Sequence, residues 1–357
     1  MASTNEFRPD WASAPGDTIA DILGERHLSV DEFARRIEKS QEYANDLLQG
    51  RATITLAVAR RLEHVLGASV EFWVSRDFQF RHDIARFFGA DKDWLDEFPV
   101  GDMIKFRWLT PAPRPAEEVA ACLRFFDVPS VSVWKQRYSN LLEMVAFRIS
   151  PSLDSRPAAV TAWLRQGEIE GQAMACSPWD RRGFEESLRH VRPLTRERDP
   201  KQFIPKLQEL CAAYGVAVAI VRTPNGCPAS GATRFLSPSK AFLMLSFRYL
   251  SDDQFWFSFF HEAGHLLLHG DKGFFLEGNH VPSTIQEQAA NDFAENILIP
   301  PEFRESMLRL PLNGREVIRF AHRIGISPGI VVGQLQFRGR FTHRQLNNLK
   351  RHYQWVE

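Results

Sequence analysis

The chain has 357 residues, which is long enough for two or three units of ordinary size. Its 44 Lys plus Arg are balanced by 44 Asp plus Glu, so no global basic field indicates a nucleic-acid or membrane-surface protein. With 44% hydrophobic and 25% charged residues, the composition is that of a soluble globular protein and argues against a disordered chain.

The cysteines and the apolar segments indicate the cellular compartment in which the protein is expected. The four cysteines are scattered without a CxxC pair, which argues against a disulfide framework and against a cysteine zinc site. Residues 1–17 lack the apolar core of a signal peptide, and no stretch approaches the roughly 20 apolar residues that span a bilayer. We therefore expect a cytoplasmic protein without a membrane partner.

The first part of the chain is typical of a helix-turn-helix unit. Ser29 and Glu32 form a capping-box pattern before a short helix, and Gly50 and Gly67 follow two later helical patterns. Two short helices joined by a tight turn, with a helix on each side, define the unit. The four predicted helices lie at about residues 15–26, 30–37, 40–48 and 55–66.

Residues 15–81 resemble the Xre-type helix-turn-helix of HigA-like antitoxins. The resemblance is carried by the run Gln49–Thr55 and by the run Leu66–Trp73. It implies that the second short helix, at residues 40–48, enters the major groove of DNA.

The residues on this predicted recognition helix do not decide whether it binds DNA or another protein. Gln41 and Asn45 are able to read adenine, and Arg51, Arg60 and Arg61 are able to hold phosphates. Glu42 and Asp46 give the helix an acidic character, which departs from the usual electrostatic footprint of DNA-binding domains. DNA binding and a role in dimerisation or partner recognition are therefore equal alternatives, and a homodimer is compatible with the chain.

The middle of the chain is mostly helical and carries no cofactor motif. Residues 109–115 contain three prolines and indicate a semi-rigid linker, and helices are predicted at residues 117–126 and 160–175. The predicted domains are a helix-turn-helix domain at residues 1–83, a helical spacer at residues 84–200 and a third domain at residues 201–357.

A small sheet is predicted to precede the most informative helix. A helix at residues 203–214 leads into a β-branched strand at 215–221, and a hairpin pairs residues 233–236 with 241–247. The predicted class is α+β, with an all-α head, a helical middle segment and a C-terminal domain that combines the sheet with the helix that follows it.

That helix contains the sequence HEAGH from His261 to His265, inside an apolar run. On a helix, the spacing of four places both imidazoles on one face, where they can share a zinc ion, with Glu262 beside the open position. This pattern is typical of metal-dependent peptidases. The alternative is a pair of core histidines satisfied by hydrogen bonds.

A catalytic zinc site requires a third protein ligand. His269 continues the spacing but lies roughly 12 Å from His261 along a helix, too far for one ion. Glu287, near the start of the next predicted helix, would give a His2Glu site, and Asn291, one turn later, could accept the outer N–H of a zinc histidine. The alternative for Glu287 is a solvated first-turn glutamate favoured by the helix dipole.

Residues 216–335 resemble the ImmA/IrrE family of zinc metallo-endopeptidases. The resemblance rests on the run 253–269 and on the pattern ExxxNxFAxxxLxP at residues 287–300. It implies zinc as the cofactor, His261, His265 and Glu287 as its ligands and Glu262 as the general base. The fusion of an Xre-like head to a zincin tail also occurs in that family.

The family resemblance implies a function in regulation. The leading hypothesis is a zinc endopeptidase that cleaves a helix-turn-helix repressor or antitoxin and so controls stress, mobile-element or defence genes. The alternative is a DNA-binding transcriptional regulator or antitoxin whose zincin domain is a sensing or structural module.

Two further expectations concern accessory residues. The weak candidates for stabilising an oxyanion are Arg248, Tyr249, His280 and His322. The basic stretch 338–351, with Phe341 and Tyr353 nearby, suits a surface that tracks single-stranded nucleic acid, although such a stretch is more commonly a solvated helix face.

Overall fold

A computed structural model describes residues 13–88, 91–112, 115–148, 156–270, 275–278 and 285–355. The chain divides into two compact units, Met1–Arg137 and Tyr138–Glu357. The three-part division expected from the sequence remains a prediction. No helix in the described ranges is long and apolar enough to cross a membrane.

The first unit is helical in its described part, and three hydroxyl side chains begin its short helices. Ser29, Ser40 and Thr55 each accept a hydrogen bond from the backbone N–H three residues later. The helices are α1 (Pro15–Glu25), α2 (Val30–Arg36), α3 (Gln41–Leu48), α4 (Leu56–Leu66), α5 (Val70–Phe88), α6 (Lys92–Leu95), α7 (Val100–Lys105), α8 (Pro115–Phe126) and the start of α9 (Val131–Arg148).

The helix-turn-helix forms its own hydrophobic core. Phe33 of α2, Leu62 of α4 and Trp73 of α5 are fully buried in it, together with Ile19 and Ala44. The helical periodicity of the sequence placed these apolar side chains on inward faces, so the four predicted helices correspond to α1–α4 within one residue or two.

The second unit combines further helices with one sheet, which confirms the α+β class. Its helices are α10 (Pro157–Ala173), α11 (Arg181–Val191), α12 (Pro200–Ala212), α13 (Asp252–His269), α14 (Ile285–Leu298), α15 (Pro301–Leu308), α16 (Gly314–Ile324) and α17 (Pro328–Phe337). Short 3₁₀ turns cover Arg192–Arg196 and Asn347–Leu349. The strands are β1 (Val216–Ile220), β2 (Ala229–Ser237), β3 (Lys240–Leu245) and β4 (Phe275–Gly278).

The strands lie in the order β1-β3-β2-β4, with β1 parallel to β3 and the other pairs antiparallel. The predicted hairpin is therefore the β2–β3 pair, with a longer first strand than expected. Strand β4 was not predicted, because its four residues are too few to show a period.

The two faces of the sheet are covered by different helices. On β3, Leu243 and Leu245 belong to the large core that also contains the apolar side of α13. Phe242 and Met244 alternate with them and approach α10 at Gly167 and Gly171. The sheet thus lies between α10 and α13, and β2 faces the helix that carries the HExxH pattern.

The C-terminal segment fastens the start of α13 and is not a solvated helix. Residues 338–351 form turns, Arg338 pairs with Glu295, and Arg351 donates to the carbonyls of Thr195 and Glu197. Phe341 and Tyr353, the two aromatic residues near this basic stretch, are only 6% and 4% exposed. These rings belong to the core and are not available to stack on bases, and a surface for single-stranded nucleic acid on the exposed basic residues of this segment stays a prediction.

The first turn of α13 is held by two buried carboxylates. Asp252 accepts hydrogen bonds from the Ser327 hydroxyl and from the backbone N–H of Arg351. Asp253, 5% exposed, has its Oδ2 2.6 Å from the Nζ of Lys350. These contacts join α13, the N-cap of α17 and the chain end.

We predict that Lys350→Ala lowers the free energy of unfolding by about 3 kcal/mol, because it leaves the Asp253 carboxylate buried without its cation. Chemical denaturation of the full chain measures the change. Lys206→Ala, on an exposed part of α12, is the matched control. An equal loss in both variants, or no loss in Lys350→Ala, would show that the ion pair does not stabilise the fold.

Candidate metal centre

Helix α13 brings two histidines together in the protein interior. His261 and His265 are 3% and 1% exposed, and their Nε2 atoms lie 3.0 Å apart. The spacing of four residues stacks the two rings on one face of the helix, with ring centroids 4.7 Å apart. Two imidazole nitrogens therefore converge on one point.

Helix α14 adds a carboxylate to this point. The Oε2 of Glu287 lies 3.3 Å from the Nε2 of His261 and 3.5 Å from the Nε2 of His265. The two helices approach closely at small residues, since Gly264 faces Ala290 and any β-carbon at position 264 would lie 3.3 Å from the Cα of Ala290. Close helix packing thus positions the third donor.

Burial and mutual hydrogen bonding set the protonation of this cluster. Burial lowers the pKa of His265, which favours the neutral imidazole that a metal requires. Burial alone would raise the pKa of Glu287, but hydrogen bonds from His261 and His265 outweigh it and lower this pKa to about 2. At neutral pH, Glu287 is therefore an ionised carboxylate.

The donor set fits a zinc ion. His261, His265 and Glu287 are the only group of three or more His, Cys, Asp or Glu within the described residues whose ligand atoms could hold a metal. A point equidistant from three atoms with the separations above lies about 1.9 Å from each, close to the roughly 2.0–2.2 Å of zinc bonds to nitrogen and oxygen. Two imidazoles and one carboxylate leave a further position open, as catalytic zinc sites do.

Asn291 contacts His261 on the side of the ring that faces away from the cluster. Its Oδ1 lies 3.0 Å from the Nδ1 of His261, the ring nitrogen that does not face the cluster. With a metal bound, such a contact would hold the tautomer in which Nε2 carries the lone pair. The amide expected from sequence to accept the outer N–H of a histidine thus lies within reach of it.

Glu262 lies on the side of α13 that faces the sheet. It is fully buried, and its carboxylate packs against Gly231 of β2. A β-carbon at position 231 would lie 2.7 Å from Oε1 and 2.8 Å from Cγ of Glu262, so only glycine leaves room for this side chain. Sequence reasoning missed Gly231, because the contact joins residues far apart in the chain.

The remaining sequence candidates lie elsewhere. The Nε2 of His269 lies 3.2 Å from the carbonyl oxygen of Gln286 on α14. Arg248 donates to the Pro228 carbonyl and lies over the ring of Tyr249. His322 is exposed on α16, and His280 lies outside the described residues. An oxyanion role for any of them remains a prediction.

The recognition helix of the first unit, α3, exposes few groups that suit DNA. Gln41 is exposed and Asn45 is half-buried. Arg51 donates from Nε and Nη2 to Oδ1 of Asp46, at 2.8 and 2.6 Å. Arg61 is held in the same way by Glu38, at 2.8 Å. Two of the cations expected to hold phosphates are therefore paired within the protein.

Comparison with known proteins identifies the two segments. Residues 216–335 match the peptidase M78 family model, described as the IrrE N-terminal-like domain, and residues 19–73 match the helix-turn-helix model. The chain is also 39% identical over 61 residues to an uncharacterized HTH-type transcriptional regulator, YddM, of Escherichia coli strain K12. That match covers 17% of this chain and 65% of the relative's length.

These matches confirm the resemblances stated from the sequence. The chain carries a helix-turn-helix domain, of a class that suggests DNA binding, and a domain of a metallopeptidase family. Neither the family descriptions nor the relative's name says which protein or DNA the chain acts on.

We predict that the full chain binds one zinc ion and that Glu287→Gln weakens this binding at least about 100-fold, since the amide removes the anionic donor. Asn291→Ala should weaken zinc binding about 10- to 100-fold. Competition with a chromophoric chelator measures both affinities, and Glu185→Gln, on the exposed face of α11, is the control. Unchanged affinity in Glu287→Gln would remove Glu287 as a ligand.

Proposed function

We propose that this protein is a zinc-dependent endopeptidase that cleaves a regulatory protein, with His261, His265 and Glu287 as the metal ligands and Glu262 as the general base. The observation that carries the proposal is the convergence of the three donors beside a fully buried glutamate. A structural zinc site would be closed by a fourth protein ligand and would have no use for Glu262.

The chemistry follows from the positions of these groups. A zinc ion held by the three ligands would lower the pKa of water towards neutrality and polarise the carbonyl of the scissile bond. Glu262 accepts a proton from the attacking water on its carboxylate and passes it to the nitrogen of the leaving amine, which regenerates the carboxylate. Asn291 keeps His261 oriented through Nδ1, and the apolar surroundings of α13 limit access of bulk water.

The proposed substrate class is a helix-turn-helix repressor or antitoxin. The support is the pairing, in one chain, of a metallopeptidase-family domain with a helix-turn-helix domain. The first unit would then select the protein partner or the promoter at which cleavage acts, and cleavage would release stress, mobile-element or defence genes.

We predict that Glu262→Gln abolishes cleavage, with a loss of at least about 10³-fold, while zinc affinity stays within a few fold, because the amide keeps the shape but cannot accept the proton. Sequencing of new protein N-termini in host cells, with and without DNA damage, compares this variant with the wild type and with Glu185→Gln. A repressor cut in both wild type and Glu262→Gln would exclude Glu262 as the base.

The second candidate is a DNA-binding transcriptional regulator in which the metallopeptidase-family domain serves as a sensing or structural module. The similarity to a relative named as a transcriptional regulator and the exposed Gln41 of α3 favour it. Because Arg51 is paired with Asp46, the exposed Arg60 of α4 is the better candidate for a phosphate contact.

We predict that, where DNA binding occurs, Arg60→Ala reduces the slope of log affinity against log salt by about 0.9, the value for one phosphate. Arg51→Ala should leave the slope unchanged. Gel shifts with the protein's own promoter at several salt concentrations measure both slopes. Absence of binding at low salt would remove this candidate, and a reduced slope in Arg51→Ala would show that the Asp46 pair opens on DNA.

A further inference from the structure

We propose that a pocket beside the metal centre, bounded by α13, α14 and α17, receives a large apolar side chain of the protein substrate next to the bond that is cut. The inference rests on the proposed peptidase function and adds the local sequence at which cleavage occurs. The pocket has a volume of about 270 Å³. This is near the lower end for small-molecule pockets, and it suits one aromatic or branched aliphatic side chain.

The pocket and two of the metal ligands lie along the same face of α13. Four residues of this helix follow one another at intervals of four and so form a row on one face. They are Asp253, Phe257, His261 and His265. The first two line the pocket, and the last two belong to the metal centre. The pocket is therefore continuous with the metal centre along this helix.

Two residues of the pocket wall contact His261 directly. Asn291 has its Oδ1 3.0 Å from the Nδ1 of His261. The rings of Phe257 and His261 are inclined by 28°, with centroids 6.2 Å apart. A zinc ion about 2 Å from Nε2 of His261 would lie within roughly 10 Å of the Phe257 centroid. A Phe side chain next to the scissile carbonyl reaches that ring, because neighbouring Cα atoms are about 3.8 Å apart and the side chain extends roughly 5 Å further.

The wall of the pocket has an apolar inner part and a polar rim. Leu298 and Ile330 are 0% and 2% exposed, so they lie at its inner end. Phe337 is 77% exposed and stands at the mouth, as do the exposed amides of Gln254 and Gln288. The inner part stabilises an apolar side chain by removing it from water, and the amides are able to hydrogen-bond the peptide backbone beside it.

The charges of the wall do not favour a charged side chain. The Asp253 carboxylate is 2.6 Å from the Lys350 ammonium, and the Glu295 carboxylate is 2.6 Å from the Arg338 guanidinium. Both wall carboxylates therefore already have a cation. The described residues that line the pocket include no Lys, Arg or His. A Lys or Glu side chain of the substrate would lose its hydration here without gaining a partner of opposite charge.

The first experiment titrates the zinc-loaded full chain with three hydroxamic acids by isothermal titration calorimetry. Each probe binds zinc through its hydroxamate, and the attached arm differs. Acetohydroxamic acid has no arm, 3-phenylpropanohydroxamic acid has an apolar arm, and 6-aminohexanohydroxamic acid has a cationic arm. We expect the phenyl arm to tighten binding at least about tenfold over acetohydroxamic acid, and the cationic arm to change it less than about twofold. Equal binding of all three, or tightest binding of the cationic probe, would overturn the proposal.

A variant locates the phenyl arm within the structure. Phe337→Ala, at an exposed position, should weaken 3-phenylpropanohydroxamic acid about 3- to 10-fold, because the ring at the mouth of the pocket is lost. Its affinity for acetohydroxamic acid should stay within twofold, which also shows that the metal centre is folded. Phe72→Ala removes an exposed ring of α5 and is the matched control. Unchanged affinity for the phenyl probe in Phe337→Ala, or an equal loss in Phe72→Ala, would overturn the assignment.

The substrate itself supplies a second readout. Among the new N-termini generated by the wild type, a large apolar residue should stand immediately before or after each cut. Cuts flanked on both sides by charged residues would overturn the proposal. The probes separate this failure from failure of the proposed function. No binding of acetohydroxamic acid to the zinc-loaded chain would overturn the metal centre and this inference with it, whereas binding of acetohydroxamic acid without any gain from the phenyl arm would overturn the pocket assignment alone.

Discussion

The structure of the second unit depends on the burial of ionisable side chains along one apolar helix. Helix α13 carries His261, Glu262 and His265 at exposures of 3% or less. Burying such groups costs free energy unless other groups compensate them. The compensation for the histidines comes from α14, which supplies the Glu287 carboxylate and the Asn291 amide. The position of α14 against α13 is therefore a requirement of the site as well as of the core.

The other neighbours of α13 follow from the same constraint. The sheet meets the helix where β2 has a glycine, and this leaves space for the Glu262 carboxylate beside the backbone of Gly231. At its first turn, α13 is fixed by Asp252 and Asp253, which contact Ser327 and Lys350. A helix held at its start, at its centre and along one face keeps His261 and His265 in fixed positions, as a preorganised site requires.

The sequence predicted those parts of the site that depend on local periodicity. The spacing of His261 and His265 and the helical pattern around Glu287 show which side chains share a face, and the structure brings the three together. Gly231 could not be predicted, because its importance lies in a contact between a strand and a helix. The contacts of the C-terminal segment could not be predicted either, because the sequence shows the charges of Arg338 and Arg351 but not their partners. Pairing between distant residues is set by the tertiary fold.

The same distinction applies to the helix-turn-helix domain. Its fold follows from local signals, since Ser29, Ser40 and Thr55 begin the helices at which the sequence places them. The charge that this domain offers to DNA depends on which of its arginines are paired with carboxylates in the fold. Arg51 is neutralised by Asp46, and Arg61 is neutralised by Glu38. Phosphate neutralisation supplies most of the affinity of DNA-binding domains, so these two ion pairs reduce what Arg51 and Arg61 offer to phosphates. The helix-turn-helix class suggests DNA binding, and the exposed Arg60 belongs to neither pair, so the choice between DNA and a partner protein stays a prediction.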